Sequence, residues 1–268
     1  MIKAVIEYQF LQNALLTCIF ASIVCGIIGV IIIEKKMLMM SGGIAHTSYG
    51  GVGLGYLLGF EPIIGAFIFS ICAAIGIGFI KRKGGTHSDI VIALFWSLGM
   101  ALGVLFIALM PGYPPNLSSY LFGNILTVTK VDLYLMIAIS MIVTAVIGML
   151  YNNWKAYLFD EEFASIIGIK TAILDYLLLI LVAMSVVVLI RAVGIILVLA
   201  LLAAPAATAS LLCKKLLSRI IYSILIGLIY CIAGLWISYY LDLASGASIV
   251  IFATFSYLLI FLNKKNKK

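Results

Sequence analysis

Charge is scarce in this chain: only 10% of its 268 residues are Asp, Glu, Lys or Arg, against 65% hydrophobic. Soluble domains carry roughly 25% charged residues, so this composition describes an integral membrane protein throughout. Mean hydropathy is +1.27. Long polar stretches are missing too. The longest polar connection lies around Tyr151–Lys170, too short for a soluble domain. The five cysteines (Cys18, Cys25, Cys72, Cys213, Cys231) sit in or at the end of apolar runs without a CxxC pair. They support neither a thiolate metal cage nor a disulfide framework and read as small buried hydrophobes. A GxxxxGK[ST] phosphate loop is absent, so the chain does not itself hydrolyse ATP. The sequence predicts no cleavable signal, because the first apolar run, Phe10–Ile33, is too long for an h-region.

Apolar runs, punctuated by charge, dominate what is present. Candidate spans cover 10–33, 37–60, 63–80, 90–110, 133–151, 171–190, 192–213, 220–241 and 243–262. The expected fold is an all-α polytopic bundle of eight or nine transmembrane helices in one domain, residues 1–268. Asp175 is tolerated near a span end, where it can reach the interface. Glu34, Glu61 and Asp242 read as solvated rim residues, and His87 as a solvated loop residue before Asp89. Placing 34–36, 81–89, 152–170, 214–219 and the tail 263–268 on one side gathers fourteen of the seventeen Lys and Arg there. The positive-inside rule makes that side cytoplasmic, with the N-terminus outside and the C-terminus cytoplasmic. The net charge of +7 follows from this arrangement and needs no nucleic acid. Lys81–Lys83 and the C-terminal lysines would touch anionic lipid.

The span 37–60 is the most telling. It carries His46 near its middle and seven glycines. An imidazole has no partner in hydrocarbon, and intramembrane ionisable groups usually face a protein interior or a watery path. Gly43, Thr47, Gly51, Gly55 and Gly59 recur every fourth residue, a small-residue ridge that lets helices approach closely in lipid. The plainer alternative for His46 is a core histidine donating to a backbone carbonyl. In 192–213, Pro205 deprives the Leu201 carbonyl of its helical donor, so the helix is expected to kink or open there, with Thr208 and Ser210 able to re-satisfy freed carbonyls. Pro111–Pro115 reads as a rigid turn, and Ser118–Leu126 as half-inserted backbone packed on protein. In 152–170, Asp160 suits an N-cap, Glu161 and Glu162 suit a first turn, and Gly168 suits a helix terminator. A two-turn helix outside the membrane is expected there.

Several ordered blocks then resemble one family. SGGIAHTSYGGVGLGYLLG (41–59), KRKGGTHSDIVIALFWSLGMALGVLF (81–106), LFGNILTVTKVDL (121–133), FDEEFASIIGI (159–169) and GIILVLALLAAPAATASLL (194–212) are similar to permease subunits of the zinc/manganese branch of ATP-binding-cassette importers. The resemblance implies a type II importer-like homodimer with a path at or near the subunit interface. It also implies a cytoplasmic ATPase dimer, an extracytoplasmic metal-binding protein and a plasma-membrane location. Asp160, Glu161, Glu162, Ala164 and Gly168 would then form the ATPase contact.

The family pattern places an Asp four residues before the histidine of the second span; here that position is Gly42. A single imidazole suits Zn²⁺ and similar ions but cannot complete tetrahedral coordination. His46 is therefore expected to be a transient ligand for Zn²⁺ or Mn²⁺, assisted by water, by Ser41, Thr47 or Ser48, and by the second copy. Gly42 and Gly43 would leave room for the hydrated ion, and Pro205 would belong to a wall of the path. No permanently bound cofactor is expected. The competing readings are a permease for an iron chelate or a corrinoid, and a stand-alone secondary carrier. A repeat or paired intramembrane carboxylates would favour the carrier.

Overall fold

The structure is a computed structural model that describes residues 7–83, 88–112, 123 and 125–265. Its helices are α1 (Gln9–Glu34), α2 (Leu38–Leu58), α3 (Pro62–Arg82), α4 (Ser88–Ala108), α5 (Lys130–Met149), α6 (Tyr151–Phe159), α7 (Glu161–Ile166), α8 (Thr171–Val193), α9 (Ile195–Leu212), α10 (Leu216–Leu241) and α11 (Ser245–Lys265). A 3-10 turn occupies Ile125–Thr127, and no strand occurs among the described residues. Each predicted span has its helix. Among the described residues, eight helices are long and apolar enough to cross a membrane. The ninth long helix, α2, is 21 residues long, but six glycines and His46 make it less apolar. His87, Tyr113–Pro115 and Ser118–Phe122 lie outside the described residues, so most of the predicted turn and half-inserted segment is not described.

The chain forms two compact units: Met1–Lys35, Ser118–Met149 and Leu189–Lys268 in the first, Lys36–Leu117 and Leu150–Val188 in the second. In the first unit α1 packs on α5, α9 and α10, and α11 packs on α9 and α10. The start of α5 carries a reciprocal cap: the Thr129 N–H donates to Asp132 Oδ2 (3.0 Å), and the Asp132 N–H donates to Thr129 Oγ1 (3.3 Å). Arg191 Nε lies 2.5 Å from Asp132 Oδ1.

Glu34, expected on a solvated rim, is instead ion-paired with Arg219, whose Nε also donates to the Cys213 carbonyl (3.0 Å). That pairing joins residues 185 apart in sequence, which no local pattern encodes.

Pro205 does not open its helix, and α9 runs unbroken across it. Its ring packs on Gly227 of α10. The carbonyl repair differs from expectation. Thr208 Oγ1 donates to Ala204 O (2.7 Å) rather than to Leu201, and Ser210 Oγ is buried with no hydrogen-bond partner among the described residues. Cysteine burial also splits: Cys18, Cys25 and Cys231 are buried, Cys213 is intermediate and Cys72 is exposed.

In the second unit α2 packs on both α3 and α4. Two α2 faces made of small residues achieve this. Gly51 meets Gly65 of α3 backbone to backbone, so that a Cβ on either would overlap the other's carbonyl. Gly53 likewise meets Gly103 of α4, where an added Cβ would lie 2.7 Å from the Gly103 carbonyl oxygen. Close Cα–H···O contact of this kind holds helices together where burial from water gives no driving force. Gly51→Val forces backbone apart and no rotamer relieves it, so we expect a loss of about 3 kcal/mol or more, at the upper end of overpacking costs. Thermal unfolding in detergent measures it. Gly148→Ala, at a glycine with nothing within 4 Å of the added carbon, should leave melting unchanged or slightly raised.

Candidate functional site

His46 lies on α2, where it is the half-buried exception in a run from Met40 to Val52 that is otherwise buried. Its ring stacks on Trp96 of α4, with centroids 3.9 Å apart and planes 12° from parallel. Nδ1 is closed to solvent and has no hydrogen-bond partner among the described residues. For Nδ1, the alternative of a core histidine donating to a backbone carbonyl finds no such acceptor among the described residues. What holds the ring is an indole face, which fixes its plane without occupying that nitrogen.

Ser41, Thr47, Ser48 and Gly43 do not converge on it. At 100° per residue, Ser41 and Ser48 lie roughly 140–160° around the helix from His46, on the far face. Ser41 Oγ donates to Leu38 O (2.7 Å) and Ser48 Oγ to Ala45 O (2.6 Å). Thr47 Oγ1 reaches both Gly43 O (2.7 Å) and Phe95 O (3.0 Å), so its single proton ties α2 to α4. Gly43 does not leave free space either: a Cβ there would lie 2.8 Å from Ile92 Cγ2. Gly42, one turn from His46 and on its face, is buried. Pro205 belongs to the first unit.

Among the described residues no group of three or more His, Cys, Asp or Glu could hold a metal ion. A cation meeting His46 would find one imidazole, water, and whatever a further chain supplies. A cavity of about 280 Å³ beside α3 and α4 is lined by Thr47, Phe69, Cys72, Phe95, Leu98 and Gly99 among others, none of them charged. Its chemistry suits hydrocarbon, not a cation.

The second notable surface is the α6–α7 pair. Asp160 is extended and caps α7, its Oδ1 accepting from the Phe163 N–H at 3.0 Å. At the other end Gly168 sits at φ 87°, in the left-handed region that a side chain disfavours. The Ile169 N–H donates to Ala164 O (3.0 Å) and the Gly168 N–H to Ser165 O (3.1 Å), closing the helix end. Glu161 and Glu162 are exposed in the first turn. Ala164, expected in an outward contact, is instead fully buried and seats the helix on its own unit. The outward face is apolar: Phe159 is 90% exposed and Ile166 81%, with Phe163 and Ile167 about half exposed. Sequence reading missed these four, although an apolar residue on a helix outside the membrane was the available signal.

Asp175, in the first turns of α8, is buried: it accepts from the Tyr157 hydroxyl and pairs with Arg82 Nη1 at 3.0 Å. Burial, then the Asp175 bond, push the Tyr157 phenol above its usual range, so it remains the donor.

Comparison with known proteins agrees with this arrangement of helices. A model described as the ABC 3 transport family matches residues 7–264. An uncharacterized membrane protein of Synechocystis sp. is 38% identical over 262 residues, 97% of this chain and 93% of that protein. The manganese transport system membrane protein MntC of Listeria monocytogenes is 37% identical over 261 residues, 97% and 93% of the two chains. The solved structure of PsaBC from Streptococcus pneumoniae in complex with Fab superposes with a TM-score of 0.87 at 35% identity, covering 97% of this chain and 94% of that one. Matched over nearly its full length in this way, the chain belongs to the ABC 3 transport family.

Proposed function

We propose that this chain is the membrane permease subunit of an ATP-binding-cassette importer that carries Mn²⁺ or Zn²⁺ into the cytoplasm. The observation that carries the reading is His46: a partly exposed imidazole with an unpartnered Nδ1, held against Trp96 on an otherwise buried stretch of helix. MntC, named for manganese transport, gives the cargo class its support. An imidazole unaccompanied by carboxylate favours Zn²⁺ over Mn²⁺ in donor chemistry, so both remain within the proposal. One protein ligand is a virtue in a conduit, since the ion must leave again.

His46 acts as the transient ligand, with Gly42 presenting no side chain one turn away on the same face. Its Nδ1 is closed off in this conformation, so coordination there follows a rearrangement of the groups around the ring edge. The hydrolytic step belongs to a separate cytoplasmic ATPase dimer, because this chain has no phosphate loop. The exposed Phe159, Phe163, Ile166 and Ile167, flanked by Glu161 and Glu162, form the socket for that ATPase. A second copy of the chain and an extracytoplasmic metal-binding protein complete the importer. The Lys and Arg distribution puts α6–α7 and the C-terminus on the cytoplasmic side of the cell membrane.

The test is hydrolysis by the reconstituted complex with Mn²⁺, Zn²⁺ and Fe²⁺ offered in turn. Mn²⁺ or Zn²⁺ should stimulate ATP turnover and appear inside vesicles only when nucleotide is present. Metal flux by this subunit alone, without any ATPase, would overturn the proposal.

A further inference from the structure

Asp175 joins three elements at one end of the second unit. Its Oδ1 accepts from the hydroxyl of Tyr157 on α6, and its Oδ2 lies 3.0 Å from Nη1 of Arg82, in the last turn of α3. Both oxygens are thus used, each by a different helix. Tyr157 is 1% exposed and packs edge-on against the fully buried Trp154, with ring centroids 5.9 Å apart and planes at 74°. From α6 the chain passes through the single residue Asp160 into α7 and its apolar outward face. From α3 the path continues through the Gly51–Gly65 backbone contact to α2, which bears His46.

A buried carboxylate is a poor choice if only stability is required, because apolar packing of equal volume is often as stable. What it adds is a joint with direction and alternatives. The Arg82 side chain is 36% exposed against 12% for Asp175, so the arginine can exchange its partner for water while the tyrosine stays buried. Two discrete arrangements of a packed network are what coupling between distant sites needs.

We infer that Asp175 is a positioning residue of the transport cycle, clamping the α6–α7 pair to α3 so that displacement of the docking face reaches the helix carrying His46. This inference rests on the reading of the chain as a permease driven by a separate ATPase. Asp175 touches neither cargo nor nucleotide and acts through Tyr157 and Arg82.

The experiment compares the wild-type permease–ATPase complex with Asp175→Asn, Tyr157→Phe, Arg82→Met and Arg82→Lys in proteoliposomes. The measured quantities are metal taken up per ATP hydrolysed, the rate of hydrolysis, and melting of the complex. Asp175→Asn, Tyr157→Phe and Arg82→Met should lower uptake per ATP about tenfold, the usual worth of one charge-assisted hydrogen bond. Hydrolysis should stay close to wild type in a complex that remains folded, with melting lowered only modestly, and Arg82→Lys should recover most of the coupling. Unchanged uptake per ATP in Asp175→Asn and Tyr157→Phe, beside an active wild type, overturns the inference. So does a parallel fall of uptake, hydrolysis and melting, which marks a purely structural role. If Asp175→Asn does not insert, Tyr157→Phe decides, since it removes a single oxygen. A wild-type complex without nucleotide-driven uptake removes the parent proposal, and this inference goes with it.

Discussion

His46→Ala is expected to cut nucleotide-driven metal uptake by about a hundredfold or more, while leaving assembly with the ATPase intact. The magnitude follows from ligand arithmetic: altering even the partner of a metal ligand costs about 10–100-fold, and here the ligand itself is removed. No nearby group can substitute. Ser41 and Ser48 face away, the Thr47 hydroxyl ties α2 to α4, and no acid, cysteine or second histidine joins His46 in a metal-sized group among the described residues. The truncation should also be mild for the fold, because the imidazole Nδ1 makes no hydrogen bond that would be broken. Loss of stacking on Trp96 leaves a cavity, worth about 1 kcal/mol by analogy with aromatic pairs. Uptake of radioactive Mn²⁺ and Zn²⁺ into vesicles, with basal hydrolysis measured in parallel, checks this. Wild-type uptake in the variant would remove His46 from the path altogether.

Ile166→Asp should weaken association with the ATPase by about thirtyfold or more, the consequence of losing about 2 kcal/mol at an apolar hot spot. Ile166 is the clearest target because it is 81% exposed on a helix fixed at both ends, so the substitution changes the surface and not the interior. Phe163 and Ile167 extend the same face. The paired substitution Glu161→Lys with Glu162→Lys probes the rim. Rim charges chiefly set the rate and salt dependence of encounter, so its effect should shrink at high ionic strength, whereas that of Ile166→Asp should persist. Titration of labelled ATPase into permease nanodiscs distinguishes the two. Equal affinity for Ile166→Asp and wild type would place the socket somewhere else on the chain.

The helices were readable because apolar run lengths and the charges between them carry the information directly. Even in α2, the weakest of the runs by composition, a helix forms and is largely buried, as its glycines imply. The cap of α7 was equally local: Asp160, two glutamates and Gly168 occupy the positions that helix ends require. Long-range partners were not legible. Arg82 and Asp175 are 93 residues apart, and nothing in either neighbourhood announces the other. Trp96 over His46 was hidden for the same reason, as were Gly65 and Gly103, the receivers of the α2 glycines. Helix α6 escaped because Tyr151–Phe159 mixes aromatic and polar residues without a clean apolar stripe, although Trp154 and Tyr157 are its buried anchors. Within the site, helical angle alone could have separated Ser41 and Ser48 from His46. Sequence proximity was a misleading guide there.

Six residues are too few for a helix to persist by itself in water. Helix α7 nevertheless has a side-chain cap at one end, a left-handed glycine closing the other, and Ala164 as a rivet beneath. The entropy of ordering this knob is settled while the subunit folds, not at the moment of encounter. Under the proposed function, an arriving companion protein would meet a finished shape, its binding energy free to do mechanical work instead of moulding a loop.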